Sequence, residues 1–442
     1  MARAATTGAG GRAITNRRVL AIALPIVLSN ATIPILGAVD TGVVGQLGRA
    51  EPIGAVGIGA VILASIYWIF GFLRMGTSGL VAQAHGAGNA GESGAHLARA
   101  LGIGLAAGLG LIVLHVPVFA AAFSLAPASA EVEALARQYL SIRIWGAPAT
   151  IALYAVTGWL IAIERTRSVL VLQLLMNGLN VALDLWFVLG LGWGVPGVAL
   201  ATLIAEWSGL ALGLVFARHA LLLALRQGGL WARERLAELV RVNGDIMIRS
   251  VLLQGSFTAF MFLGAGQGDV TLAANQVLLQ FLEIMAYGLD GFAFAAESLV
   301  GQAVGARRPD RLRRAATLTS QWGVAGAAAL AVVFALAGPQ IIDLLTTSGP
   351  VRAEARHYLP WLVVAPLVGI ASWMLDGIFI GATRTREMRN AMLVSVGCYA
   401  VMVAVLPQVL GNNGLWAALM GLNALRGLTM WRLYPRVVQA AR

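Results

Sequence analysis

The sequence predicts an all-α polytopic membrane protein, with twelve transmembrane helices in two pseudo-symmetric six-helix bundles. Composition is the first of three reasons: 59% of the 442 residues are hydrophobic, 12% are charged, and mean hydropathy is +0.80, where a soluble chain carries roughly 25% charged residues. The second is the recurrence of apolar blocks of about twenty residues, the length a helix needs to cross a bilayer, without the short alternating segments of a membrane barrel. The third is an internal repeat. LVAQAHGA (Leu80–Ala87) returns as LVGQAVGA (Leu299–Ala306), ARQYL (Ala136–Leu140) as ARHYL (Ala355–Leu359), and RTR (Arg165–Arg167) as RTR (Arg384–Arg386). All three pairs share one offset, close to half the chain. Six spans separate the copies, so both halves share one orientation and are expected to be related by an axis along the membrane normal.

The elements follow in order. Residues 1–16, rich in Gly, Ala and Thr, are expected to be disordered, and Arg17–Arg18 precede span 1 (about 19–46), which holds Pro25, Pro34 and Asp40. Its length and the spans that follow argue against a cleaved signal peptide. Span 2 (about 53–82) carries Arg74 near its inner end, and span 3 covers about 98–123. Span 4 (about 138–163) contains Arg143, span 5 (about 168–192) Asn180 and Asp184, and span 6 (about 195–218) Thr202 and Glu206. These make an N-lobe of 17–223. Residues 224–241 are basic and amphipathic, with Leu230, Trp231, Leu236 and Leu239 on the apolar side, and read as an interfacial linker helix. The C-lobe (242–436) then follows as spans of about 242–267, 272–303, 315–338, 356–381, 388–410 and 414–434, before a short tail at 437–442.

All 31 basic residues are Arg. With the N-terminus inside, only Arg49, Arg137, Arg352 and Arg356 fall in outer loops and Arg74, Arg143 and Arg249 within spans, leaving 24 on the inner side. This positive-inside imbalance orients the chain with both termini cytoplasmic. It also accounts for the net charge of +11 without a nucleic-acid partner. A single cysteine, Cys398, rules out a disulfide within the chain and a cysteine metal site. Gly86–Gly91 fits GxGxxG but follows a membrane helix instead of a strand, and the five histidines have no ligand spacing. An enzyme is not expected, nor a cofactor.

Ionisable groups at bilayer depth are costly and point to function. Asp40 lies about 12 Å below the outer end of span 1 and Asp184 about as far below that of span 5, with Thr202 about 10 Å below that of span 6. Asn180 is one turn deeper than Asp184 on the same face. Two carboxylates there can share, bind and release a proton, or with Asn180 and Thr202 supply the oxygen ligands a Na⁺ ion prefers. Glu206, one turn below Thr202, is a weaker candidate. Pro34 is a candidate gating hinge, since proline interrupts the helix ladder. In the second half Glu283, Asp290 and Glu297 recur every seven residues and share one face of span 8. Glu297, Asp376 and Arg249 are expected to form a structural ion network near the inner side. Asp245 is spaced to pair with Arg249, and Arg74 to reach Asp290.

Four segments bring a resemblance: Leu24–Gly48 (LPIVLSNATIPILGAVDTGVVGQLG), Leu80–Asn89 (LVAQAHGAGN), Asn177–Thr202 (NGLNVALDLWFVLGLGWGVPGVALAT) and Leu375–Met392 (LDGIFIGATRTREMRNAM). The chain resembles the multidrug and toxic compound extrusion (MATE) transporters, in their DinF-like branch, from about Arg18 to Pro435. The resemblance implies twelve helices in two lobes and export of amphipathic, often cationic, organic compounds in exchange for H⁺ or Na⁺. It places the coupling site on Asp40, Asn180, Asp184 and Thr202. The NorM branch instead uses a glutamate on helix 7, where this chain offers only Gln254 and Ser256.

The expected protein is therefore a monomeric inner-membrane antiporter whose partners are the bilayer and small hydrophobic or cationic substrates. Two other readings remain. One is a flippase of lipid-linked saccharides, which needs a cationic cavity to hold a diphosphate. The other is a membrane receptor or scaffold, for which paired acids at bilayer depth have no purpose.

Overall fold

Hydrophobic residues dominate the chain, and in a membrane only a helix satisfies every backbone N–H and C=O within its own segment. The computed structural model describes residues 13–125, 129–226 and 228–442, and every regular element among them is helical. The helices are α1 (Asn16–Gly45), α2 (Ala50–Ile69), α3 (Phe72–Gly86), α4 (Ala90–Leu125), α5 (Ala130–Arg143), α6 (Ala147–Ala162), α7 (Thr166–Asp184), α8 (Gly194–Leu225), α9 (Arg233–Ala265), α10 (Asp269–Gly305), α11 (Pro309–Leu345), α12 (Gly349–Gly381), α13 (Thr385–Leu410) and α14 (Asn412–Gln439). The expected disordered tail, 1–16, falls mostly outside the described residues.

Among the described residues, eleven segments are long and apolar enough to span a bilayer by length and composition. α14 occupies the twelfth expected position with 28 residues, but it carries Arg426, Arg432 and Arg436. Three spans are interrupted. The second divides into α2 and α3 at Phe70–Gly71, where Phe70 N–H donates to Tyr67 O at 2.9 Å and Gly71 N–H to Trp68 O at 3.0 Å. The fourth divides into α5 and α6 at a 3₁₀ turn, Ile144–Gly146, with Pro148 opening the next helix. The fifth leaves α7 at Asp184 as a π-helical turn, Leu185–Gly190.

The chain forms two compact units. Unit 2 holds Leu28–Ala84 and Asn89–Leu239. Within it α4 packs on α6 and α8, α5 on α2 and α8, and α7 on α8. Unit 1 holds Met1–Val27, His85–Gly88 and Val240–Arg442, with α10 packed on α11 and α12, α12 on α14, and α13 on α14. The first turns of α1 belong to unit 1, where Arg18 donates to Gln302 Oε1 at 3.0 Å. α1 runs as helix through both Pro25 and Pro34.

The repeat read from sequence is present in the backbone. Positive φ occurs at Gly88 and Arg307, at Glu164 and Thr383, and at Gly192 and Gly411, each pair separated by the same offset as the sequence repeat. Close packing repeats as well. A Cβ on Gly158 would collide with the backbone of Arg74, and a Cβ on Gly377, its counterpart in the second half, with that of Ala293.

The linker departs from expectation. Residues 224–241 are not one interfacial helix: α8 ends at Leu225, turns follow, and α9 starts at Arg233 and runs without a break through span 7. Gln227 lies outside the described residues. The turn docks on α4 through Arg99, whose Nε donates to Leu230 O at 2.6 Å, and through Trp231 over Gly102. Glu92 receives Arg99 at 2.9 Å and lies 3.4 Å from both His96 and Arg235. Arg99, counted in sequence among the inner-loop charges, is buried instead.

Candidate functional site in unit 2

α7 presents a polar stripe at helical spacing: Gln173, Asn177, Asn180 and Asp184. Each residue makes a side-chain bond that orders the face. Gln173 Nε2 donates to Asn177 Oδ1 at 3.1 Å. Asn177 Nδ2 donates to Thr32 Oγ1 at 2.8 Å, tying α7 to α1. Asn180 Nδ2 donates to Thr202 Oγ1 at 2.9 Å, tying α7 to α8, and the threonine hydroxyl donates to Val198 O at 3.0 Å. At the top of the stripe, the side chains of Asp184 and Asp40 lie within hydrogen-bonding range of each other. Asp184 and Asn180 are buried, while Asp40 and Thr202 are half-buried. All four residues expected to form the site thus meet on three helices of one unit.

The Asp40–Asp184 contact carries chemical content. Two ionised carboxylates only accept hydrogen bonds, so a bond between them requires a proton on one. The helix changes character at that point, because the π-helical turn starts at the residue after Asp184. Such turns are rare and recur at functional sites. Beyond it Phe187 stacks on Trp193 with ring centroids 4.9 Å apart.

Glu206 is placed differently from expectation. It is not a free carboxylate beside Thr202 but is held by Arg143, whose Nη1 and Nη2 donate to its two oxygens at 2.7 and 3.0 Å. Sequence reasoning missed Arg143 as a site residue. Its position inside a span marks it as unusual, but its partner lies on α8, two spans further along the chain, and only the fold brings them together. Asn177 and Thr32 were also missed, although the Gln173–Asn177–Asn180–Asp184 spacing is visible in the sequence.

In unit 1 two members of the expected ion network, Asp376 and Arg249, do pair, and Arg426 joins them. Asp376 Oδ2 accepts from Arg249 and, at 2.7 Å, from Arg426. Arg426 also donates to Asn423 Oδ1 at 3.0 Å, so this arginine is buried in α14 and is not a loop charge. The expected Asp245–Arg249 pair does not form. Asp245 accepts from Arg389 at 2.6 Å and from Thr385 at 3.1 Å instead. Along α10, Glu283 is exposed, Asp290 half-buried and Glu297 buried, so the acidic face grades into the core toward the end of the helix. Arg74 lies on α3 in unit 2 and Asp290 in unit 1. A groove of about 510 Å³ between α11, α12 and α14, lined by residues such as Gln321 and Trp431, includes none of the expected site residues.

Comparison with known proteins assigns the chain. The MatE family profile matches residues 25–186 and 246–406. DNA damage-inducible protein F of Escherichia coli (strain K12) is 41% identical, over 94% of this chain and 91% of that protein. A probable multidrug resistance protein NorM of Pseudomonas aeruginosa is 27% identical, over 95% of this chain and 91% of that protein. Among solved structures, the Vibrio cholerae MATE transporter VcmN in its bent form superposes with a TM-score of 0.85 at 20% identity, covering 96% of this chain and 97% of that one. The profile covers most of the chain and the E. coli relative nearly all of it, so the chain belongs to the MATE family of multi-pass membrane transporters, in its DinF-like branch.

Proposed function

We propose that the protein is an H⁺-coupled antiporter of the bacterial inner membrane that exports amphipathic or cationic organic compounds by alternating access, with both termini cytoplasmic. The observation that carries the coupling ion is the approach of the Asp40 and Asp184 side chains to within hydrogen-bonding range of each other. A Na⁺ ion needs oxygens arranged around it, whereas two carboxyls in direct contact are arranged around a proton. Asn180 and Thr202 hold one another and orient α7 against α8. In this reading the proton leaves the pair to water, and the ionised pair then favours a cationic substrate. Gating by a bend of α1 at Pro34 belongs to the same proposal. The flippase reading is less well supported, because the deeply buried arginines Arg143, Arg249 and Arg426 are all committed to carboxylates.

The test is reconstitution in liposomes with ethidium, a planar organic cation, as probe. Ethidium movement is expected to change lumenal pH with or without Na⁺, and the change is expected to disappear in Asp40→Asn and in Asp184→Asn. A signal that requires Na⁺ makes the four residues a cation site, and one that survives both substitutions removes them from coupling.

A further inference from the structure

Unit 2 buries a second charged group below the aspartate pair. α5 ends at Arg143, and the 3₁₀ turn Ile144–Gly146 interrupts the span at that residue. Arg143 and Glu206 are each 7% exposed and joined by two hydrogen bonds. The glutamate fits because position 146 is glycine: a Cβ there would collide with Glu206 Oε2. Arg143 Nε is buried with no acceptor. An idle buried donor costs about 1–3 kcal/mol, so its retention calls for a reason beyond packing.

The surroundings supply one. Tyr139, one turn earlier on α5, lies within hydrogen-bonding range of Arg143. Tyr67 of α2 and Tyr154 of α6 lie within electrostatic range of the Arg143–Glu206 pair. Asp40 on α1 and Asp184 on α7 both lie within range of the Arg143 charge. Two carboxylates in apolar surroundings resist double ionisation strongly. A cation in range of both reduces that resistance, and a carboxylate bound to the cation restores part of it.

We propose that Arg143 is the fixed counter-charge of the aspartate pair and that Glu206 sets its strength. Both are positioning residues: they neither carry the proton nor touch substrate. When the pair gives its single proton to water, Arg143 stabilises the second negative charge left behind. Glu206 limits that stabilisation, so that the pair still takes a proton back. This inference rests on the reading of Asp40 and Asp184 as the proton carriers.

The experiment is ethidium-driven proton exchange in proteoliposomes, recorded as a full pH profile. The wild type is compared with Glu206→Gln, with the double variant Arg143→Met/Glu206→Gln, and with Asp40→Asn. Glu206→Gln keeps the shape of the side chain but leaves Arg143 uncompensated, so the pair releases its proton more readily. The profile is expected to move to lower pH, by about tenfold in proton concentration. The double variant removes both charges without stranding either, and its profile is expected to move to higher pH. The opposite signs separate tuning from damage, since a structural pair would lower the amount of folded protein without moving the midpoint. Unmoved midpoints in both variants, with exchange lost in Asp40→Asn, overturn the role of Arg143 alone. Exchange retained in Asp40→Asn overturns the coupling assignment instead.

Discussion

Asp376 lies between the guanidiniums of Arg249 and Arg426, a carboxylate that both cations share, in a part of unit 1 where all three are buried. Removing the carboxylate takes from both buried guanidiniums the acceptor they share, and breaking a buried pair in this way costs about 3–5 kcal/mol. Asp376→Ala is therefore expected to lower Tm in detergent severely, whereas Arg426→Met, which leaves one matched pair, costs much less. A larger loss in Arg426→Met would mean that the guanidinium, and not the charge balance, holds α14. Such pairings mark the limit of what sequence shows. The depths of Asp40, Asp184 and Thr202 follow from counting along single helices, and the structure brings those residues together. The partner of Glu206, and those of Arg249, follow from which helices become neighbours, which no local spacing records. Asp245 and Arg249 are one helical turn apart, yet each finds a stronger partner on another helix.

Among the elements, the turns joining α6 to α7 and α12 to α13 show how the duplicated halves diverge while keeping one backbone. Glu164 and Thr383 both adopt left-handed conformations, φ 62° and 50°. Arg165 and Arg384, which follow them, have nearly the same angles, φ −90°, ψ 47° and φ −86°, ψ 50°. A β-branched residue is the less comfortable occupant of that region, and the left-handed form costs an L-residue about 1–2 kcal/mol. Thr383→Asn is expected to raise Tm, with a gain of up to about 1 kcal/mol, because asparagine tolerates this conformation. The same substitution at Glu164 is expected to gain less. Equal Tm for wild type and Thr383→Asn would show that the threonine's own contacts offset the strain. The spans themselves are legible in the sequence because apolar length is a property of composition. The breaks at Phe70–Gly71, Ile144–Gly146 and Leu185–Gly190 are not, because nothing in their hydropathy departs from that of a continuous helix. The linker misleads for a related reason: its amphipathic pattern continues straight into the polar first turns of α9.

Orientation is a property of the whole molecule, set by the sum of its charged loops. Two arginines counted on the inner side from sequence, Arg99 and Arg426, prove to be buried in ion pairs and cannot report the side of a loop. Removing them leaves the imbalance intact, because the outer count remains at Arg49, Arg137, Arg352 and Arg356, each within ion-pair distance of a carboxylate: Arg49 with Glu131, Arg137 with Glu133, and Arg352 and Arg356 with Asp343. In the proposed orientation the positive charge gathers on the inner side, at segments such as Arg165–Arg167, Arg311–Arg314 and Arg432–Arg436. Translocating those segments against the membrane potential is unfavourable, and that bias selects the topology. Reporter fusions test it directly. Green fluorescent protein fused after Arg442 is expected to fluoresce, and alkaline phosphatase fused at that position to be inactive. The same phosphatase fused in the α11–α12 turn, after Ser348, is expected to be active. The single native cysteine gives a second readout: in a Cys398→Ser background, a cysteine placed at Arg167 is expected to react with an impermeant maleimide only after the membrane is opened. Labelling of that cysteine from outside intact cells would invert the topology. Asp40 and Asp184 would then lie nearer the cytoplasmic face, and the proposed direction of coupled transport would reverse with them.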